Sequence, residues 1–79
     1  MSKNINAAIG DEIRAARARI RWTQADLAHA IKMNPSTIAT YESGNRRIKV
    51  DMLYRIAAVL DCEPTDLMPS VKTFEVDSE

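Results

Sequence analysis

A chain of 79 residues that is 46% apolar, with two glycines and 5% aromatic residues, suits one small helical domain and argues against a sandwich or barrel. No apolar run is long enough to span a bilayer, residues 1–6 carry no secretory leader pattern, and the lone Cys62 excludes an internal disulfide and fits a reducing cytoplasm. The net charge is zero but unevenly spread: residues 1–60 hold ten basic and five acidic side chains, a net of +5, and residues 61–79 one basic and six acidic, a net of −5.

The first helix is expected over residues 7–21. Ile9, Ile13, Ala16 and Ile20 recur at i, i+4, i+7 and i+11, which marks one buried stripe, and Arg14, Arg17, Arg19 and Arg21 occupy the other faces. Trp22 ends this helix and is expected to pack into the core. Thr23 is a good N-cap for the second helix, with Asp26 in capping-box position, and Leu27, Ala28 and Ile31 form its apolar face. Lys32 and Met33 make the turn. A left-handed backbone at Lys32 would suit glycine or asparagine better.

Asn34 is the expected N-cap of the third helix, Pro35 fits its first position and Gly44 supplies its stop. Ile38 and Tyr41 face inward. Two helices within about 20 residues cannot pack antiparallel, so they cross; this is the helix-turn-helix layout, whose second helix is offered to the major groove of DNA. A polar loop, 45–49, leads to a fourth helix over 51–60, with Leu53, Ile56, Ala57 and Leu60 inward and Asp51 near its positive end. Pro64 reads as the start of a fifth short helix, 64–68, in which Leu67 and Met68 close the core before Pro69 stops it.

The tail, 70–79, changes character. VKTFEV is rich in β-branched and aromatic residues, with Phe74 and Val76 on one side of any strand it forms. A lone strand is not stable in water, so the tail is either frayed or paired with its copy in a second subunit. The expected fold class is all-α: a compact five-helix bundle in a DNA-binding domain, 1–69, plus the tail.

Residues 9–68 resemble the Xre/Cro/CI (lambda-repressor-like) family of helix-turn-helix domains. The resemblance rests on TQADLA opening the second helix, the apolar spacing Leu27, Ile31, Met33, Ile38 and Tyr41, the YESG closing the third, and CEPTDLM after the fourth. It implies a five-helix bundle that binds operator DNA, commonly as a two-fold dimer. Lys32 departs from the small residue usual in the turn.

With Ile38 and Tyr41 inward, Pro35, Ser36, Ala39 and Thr40 lie on the outer surface of the third helix; the resemblance implies that these positions meet base edges. A threonine or alanine methyl suits thymine, and the hydroxyls suit several bases, so direct readout is expected to be modest. The resemblance places Gln24 at the groove edge, touching phosphate and bracing the third helix. Asn34 can cap that helix and still face a phosphate. Ser43, Asn45, Arg46, Arg47 and Lys49 form the stretch expected along the DNA backbone, where contacts position without specifying. The resemblance also pairs Arg17 with Glu42, tying reading helix to scaffold, with Arg17 touching phosphate as well.

The expected function is a sequence-specific transcriptional regulator, repressor-like, that binds a palindromic operator as a homodimer in the cytoplasm of a bacterial or phage-infected cell, on nucleoid DNA. Two half-sites supply the specificity that one small domain lacks. Val59, Leu67, Met68, Phe74 and Val76 are the candidate dimer residues. The alternatives are an antitoxin-type or protein-interaction module, whose acidic end would cap a basic toxin, and a restriction–modification controller protein. Activation would need contact with RNA polymerase. No catalytic constellation, metal cluster or phosphate-cradling glycine loop is written in the chain, so no enzyme activity, cofactor, small-molecule ligand or membrane partner is expected.

Overall fold

Asn4 begins the first helix: its Oδ1 accepts from the Ala7 amide at 2.8 Å, and the helix runs Ile5–Arg19, or α1. The computed structural model describes residues 4–70. There α1 is followed by α2 (Gln24–Ala30), α3 (Pro35–Ser43), α4 (Val50–Val59) and a 3₁₀ turn (Pro64–Leu67), with no strand among the described residues. No helix of the described residues is long and apolar enough to cross a membrane. Asn4, a strong cap, moves the start of α1 two residues ahead of the expected one.

The fully buried side chains explain how five segments make one core. Ile13, Leu27, Ile38, Ile56 and Leu67 come one from each element, and each is 0% exposed. Each such burial is worth about 1.5–3 kcal/mol relative to exposure. The expected stripe on α1 is corrected at its end. Ile13 and Ala16 are buried and Ile9 is half-buried, but Ile20 is 37% exposed. The helix stops at Arg19 and the chain turns at Arg21, which swings Ile20 off the stripe; the half-buried Trp22 packs on the core instead.

All four helices stop in the same way. A left-handed residue follows each: Arg21, Lys32, Gly44 and Asp61, with φ of 59°, 59°, 84° and 57°. The next amide, of Trp22, Met33, Asn45 or Cys62, then donates back to the carbonyl of Arg17, Ala28, Thr40 or Ala57 at 2.8–3.1 Å. This is the Schellman closure, which satisfies carbonyls that a helix end leaves open. Three of the four following residues, Trp22, Met33 and Cys62, are apolar and pack on the core, which holds the turn in place.

The fifth helix is corrected to a 3₁₀ turn. Pro64 lacks an amide to donate, and Pro69 disfavours helical backbone at Met68, which is extended (φ −97°, ψ 128°). Only four residues remain between them, enough for a tight turn that Asp66 closes by accepting from the Glu63 amide at 2.9 Å. The expected strand around Phe74 and Val76 lies outside the described residues.

Candidate nucleic-acid interface

The helix-turn-helix is built from unlike starts. At α2 the capping box is complete: the Asp26 amide donates to Thr23 Oγ1 at 3.0 Å and the Thr23 amide to Asp26 Oδ2 at 2.8 Å. Those bonds hold the Asp26 carboxyl below its ordinary range. At α3, Pro35 takes the first position and Asn34 stands before it, but the Asn34 side chain makes no cap bond. Asn34 is thus the N-cap residue, as expected, but without a side-chain cap bond, and it is exposed at the N-terminus of α3.

α3 presents two faces. Ile38 and Tyr41 are in the core; Pro35, Ser36 and Thr40 are exposed and Ala39 half-buried. Thr40 Oγ1 donates to the Thr37 carbonyl at 2.7 Å, and Ser43 Oγ donates to the Thr40 carbonyl at 3.1 Å. Asn45, Arg46, Arg47 and Lys49 are exposed beyond the end of α3, and the Arg46 guanidinium stands 5.7 Å from the centre of the Tyr41 ring.

Behind this face lies a buried carboxylate. Glu42, at 2% exposed, is the one buried charged residue among those described. Arg17 reaches it with two arms, Nε to Oε2 at 2.8 Å and Nη2 to Oε1 at 3.0 Å, and places Nη1 on the Trp22 carbonyl at 2.7 Å. Gln24 Nε2 adds 3.1 Å to Oε1, and Arg14 donates to the Glu42 backbone carbonyl at 3.2 Å. Burial alone would raise the Glu42 carboxyl; Arg17, Gln24 and Arg14 together hold it below the usual glutamate value, and the bond to Glu42 raises the Arg17 guanidinium. One group thus ties α1, the start of α2 and the end of α3. The structure brings Arg17, Gln24 and Glu42 together. Arg17 spends three of its donors internally, and its side chain is only 15% exposed.

Glycine makes the same crossing tight. A Cβ on Gly10 would stand 2.5 Å from the carbonyl oxygens of both Tyr41 and Glu42, so α1 meets the last turn of α3 backbone to backbone. Gly44 is bound twice over: its φ is 84°, and a Cβ there would meet Ala7 Cα at 2.6 Å. Sequence reasoning missed Gly10, Arg14 and Arg55. Arg55, on α4, donates to the Ile31 carbonyl at 2.7 Å and so places a cation at the C-terminal end of α2. No local pattern announces these contacts, because Tyr41 and Glu42 for Gly10, Glu42 for Arg14 and Ile31 for Arg55 are each more than 20 residues away in sequence.

The expected dimer residues separate. Leu67 is corrected: at 0% exposed it is core and has no surface to offer. Val59 is half-buried against the core, Met68 is 44% exposed, and Phe74 and Val76 lie outside the described residues. Among the described residues no three of His, Cys, Asp and Glu could hold a metal ion.

Known proteins share this architecture. The chain is 33% identical over 60 residues to the HTH-type transcriptional regulator DicA of Escherichia coli K12, a match that covers 76% of this chain and 44% of that regulator. The chain therefore spans less than half the length of this curated relative. The restriction–modification controller protein C.AhdI from Aeromonas hydrophila is similar in structure, with a TM-score of 0.75 at 26% identity over 78% of this chain and 94% of that one. Hydroxypropylphosphonic acid epoxidase from S. wedmorenis is similar over only 36% of its chain, with a TM-score of 0.78 at 26% identity and 86% of this chain covered. A family profile described as helix-turn-helix matches residues 13–67, the span from the core isoleucine of α1 to the core leucine of the 3₁₀ turn. By that match and the likeness to the regulator, this chain belongs to the Xre/Cro/CI-type helix-turn-helix family.

Proposed function

We propose that this protein is a DNA-binding transcriptional regulator that lays the outer face of α3 in the major groove. One observation carries the reading: a polar helix face is exposed while the helix behind it is fastened to the scaffold through a buried Arg17–Glu42–Gln24 group. A groove reader needs that combination, because its side chains must reach bases from a fixed depth. Pro35, Ser36, Ala39 and Thr40 are the base-contacting set. Gln24, Asn34, Ser43, Asn45, Arg46, Arg47 and Lys49 rest on phosphates. Arg17 serves mainly as the brace, since most of its donors are spent inside.

The regulator acts as a homodimer on a palindromic operator in the cytoplasm and represses by occupying a promoter. A restriction–modification controller is a second reading, favoured by the likeness to C.AhdI over nearly that protein's whole length.

Selection of bound duplexes from a random pool tests the proposal. The expected product is a two-fold symmetric motif with half-sites about one helical turn apart. Recovery of no motif at low ionic strength would sink it. Ser36→Ala should change the preferred base at one position in each half-site. Arg46→Ala with Arg47→Ala should weaken all sequences alike and reduce the salt slope by about two, near one per phosphate contact.

A further inference from the structure

The outer face of α3 carries two exposed hydroxyls one turn apart, those of Ser36 and Thr40. They differ in where the proton goes. Thr40 Oγ1 lies 2.7 Å from the Thr37 carbonyl oxygen, a full-strength distance for a bond between two oxygens. A carbonyl cannot donate, so the Thr40 proton must occupy that bond. A hydroxyl has one proton and two acceptor lone pairs, so Thr40 keeps only lone pairs and a methyl for a partner outside the helix. Ser36 makes no such bond among the described residues and keeps its proton as well.

We propose that Thr40 is an acceptor-only reader, which selects the two bases that carry an exocyclic amino group in the major groove, adenine and cytosine, against guanine and thymine. The inference rests on the groove-reading proposal and names the base chemistry that one of its residues takes. Adenine offers its N6 amino group where guanine offers the O6 acceptor, and cytosine its N4 amino group where thymine offers O4. A lone pair of Thr40 accepts from either amino group and leaves the internal bond whole. Toward O6 or O4 two acceptors would meet, unless the hydroxyl turned its proton outward. That turn gains little, because it exchanges one neutral carbonyl for another. Ser43 is the contrasting case. Its Oγ also donates inward, to the Thr40 carbonyl, but at 3.1 Å, and a phosphate is a charged acceptor that favours release of the longer bond. The Thr40 methyl is the competing influence, since it suits the thymine methyl. The two influences name different bases, so one experiment separates them.

Selection of duplexes from a random pool by the wild-type chain, Thr40→Val and Thr40→Ser tests this. Valine keeps the shape and a methyl but has no lone pair; serine keeps the hydroxyl without the methyl. With the wild type, one position of the motif is expected to prefer adenine or cytosine over the other two bases by about three- to tenfold. Thr40→Val should lose that preference and Thr40→Ser should restore it. Thr40→Ala repeats the loss should the valine variant not fold. At the same position, replacing the preferred base by its analogue without the amino group should weaken the wild type by a like factor and leave Thr40→Val indifferent. A motif identical between wild type and Thr40→Val, or a Thr40-dependent position that prefers thymine or guanine, overturns the assignment while the DNA reading stands. Recovery of no motif by the wild type overturns both.

Discussion

The α1–α3 crossing and the α4 side of the molecule are held by different means. At the crossing, backbones touch through Gly10 and a buried carboxylate is shared by Arg17 and Gln24. Around α4, contact runs through side chains: Leu53, Ile56 and Leu60 interlock with Leu67, and one long arginine, Arg55, reaches across to α2. Apolar packing tolerates substitution of like volume, whereas removing one member of a buried ion group leaves the other uncompensated and a backbone contact leaves no room for an added Cβ. α3 is therefore anchored by the least replaceable part of the fold, while its outer face, Ser36 to Thr40, is free to vary. On the proposed function, position and specificity would be carried by different residues.

The largest expected effect breaks the crossing at its charge. Glu42→Ala leaves the Arg17 guanidinium poorly solvated and without its partner, and should cost about 3–5 kcal/mol in denaturant unfolding. Glu42→Gln keeps the shape and should cost less. Acid sharpens the same point. The folded-state pKa of Glu42 is depressed, so its stabilisation is full above the ordinary glutamate value of 4.5 and is lost as pH falls through the depressed one. Asp26 is depressed as well and titrates in the same direction. The Glu42 share is thus the difference in acid sensitivity between the wild type and Glu42→Gln. Equal sensitivity would mean that the carboxylate is not what the crossing depends on.

Gly10→Ala attacks the same place without touching charge. A Cβ at 2.5 Å from two carbonyl oxygens must push α3 away from α1, at an expected cost of about 1–3 kcal/mol. Because the shift moves the reading helix, DNA affinity should fall further than stability alone explains, measured at a temperature where the variant is fully folded. Leu60→Met, a swap of similar volume on the α4 side, should cost less than about 1.5 kcal/mol and leave affinity unchanged. Equal losses in the two variants would erase the distinction between the regions.

Much of the fold is written locally. Thr23 with Asp26, Pro35 and Gly44 mark helix ends through bonds within a few residues, and the apolar spacing of α2, α3 and α4 follows from one period. What was not legible depends on distant partners: Gly10 against Tyr41 and Glu42, Arg14 on the Glu42 carbonyl, Arg55 on Ile31. Ile20 kept the period of α1 but lost its burial because the turn came first. Of the site, the outward placement of Ser36 and Thr40 followed from the inward pull of Ile38 and Tyr41. The unmade Asn34 cap did not, since a residue type that can cap does not have to.

The helix ends supply the next contrast. Lys32 stands at a φ of 59° where α3 ends with glycine at 84°. A left-handed lysine costs roughly 1–2 kcal/mol, and glycine loses part of that through its freer unfolded chain. Lys32→Gly should therefore stabilise by about 0.5–1 kcal/mol in thermal or urea unfolding. Gly44→Ala should do the reverse by more, because there the new Cβ also strikes Ala7.

The smallest effect on stability is the most telling for function. Thr23→Ala removes a made cap and a reciprocal bond, and should cost about 1 kcal/mol. Asn34→Ala removes no cap bond, so stability should change by only a few tenths of a kcal/mol. Yet Asn34 stands at the open N-terminus of the reading helix, where backbone amides already favour an anion. Its side chain is available for a phosphate because it is not spent on the helix. Asn34→Ala should weaken binding to every sequence several-fold and leave the selected motif as it was. If it instead destabilised the fold as much as Thr23→Ala, the side chain would be a cap in solution, and a phosphate role would have to compete with it.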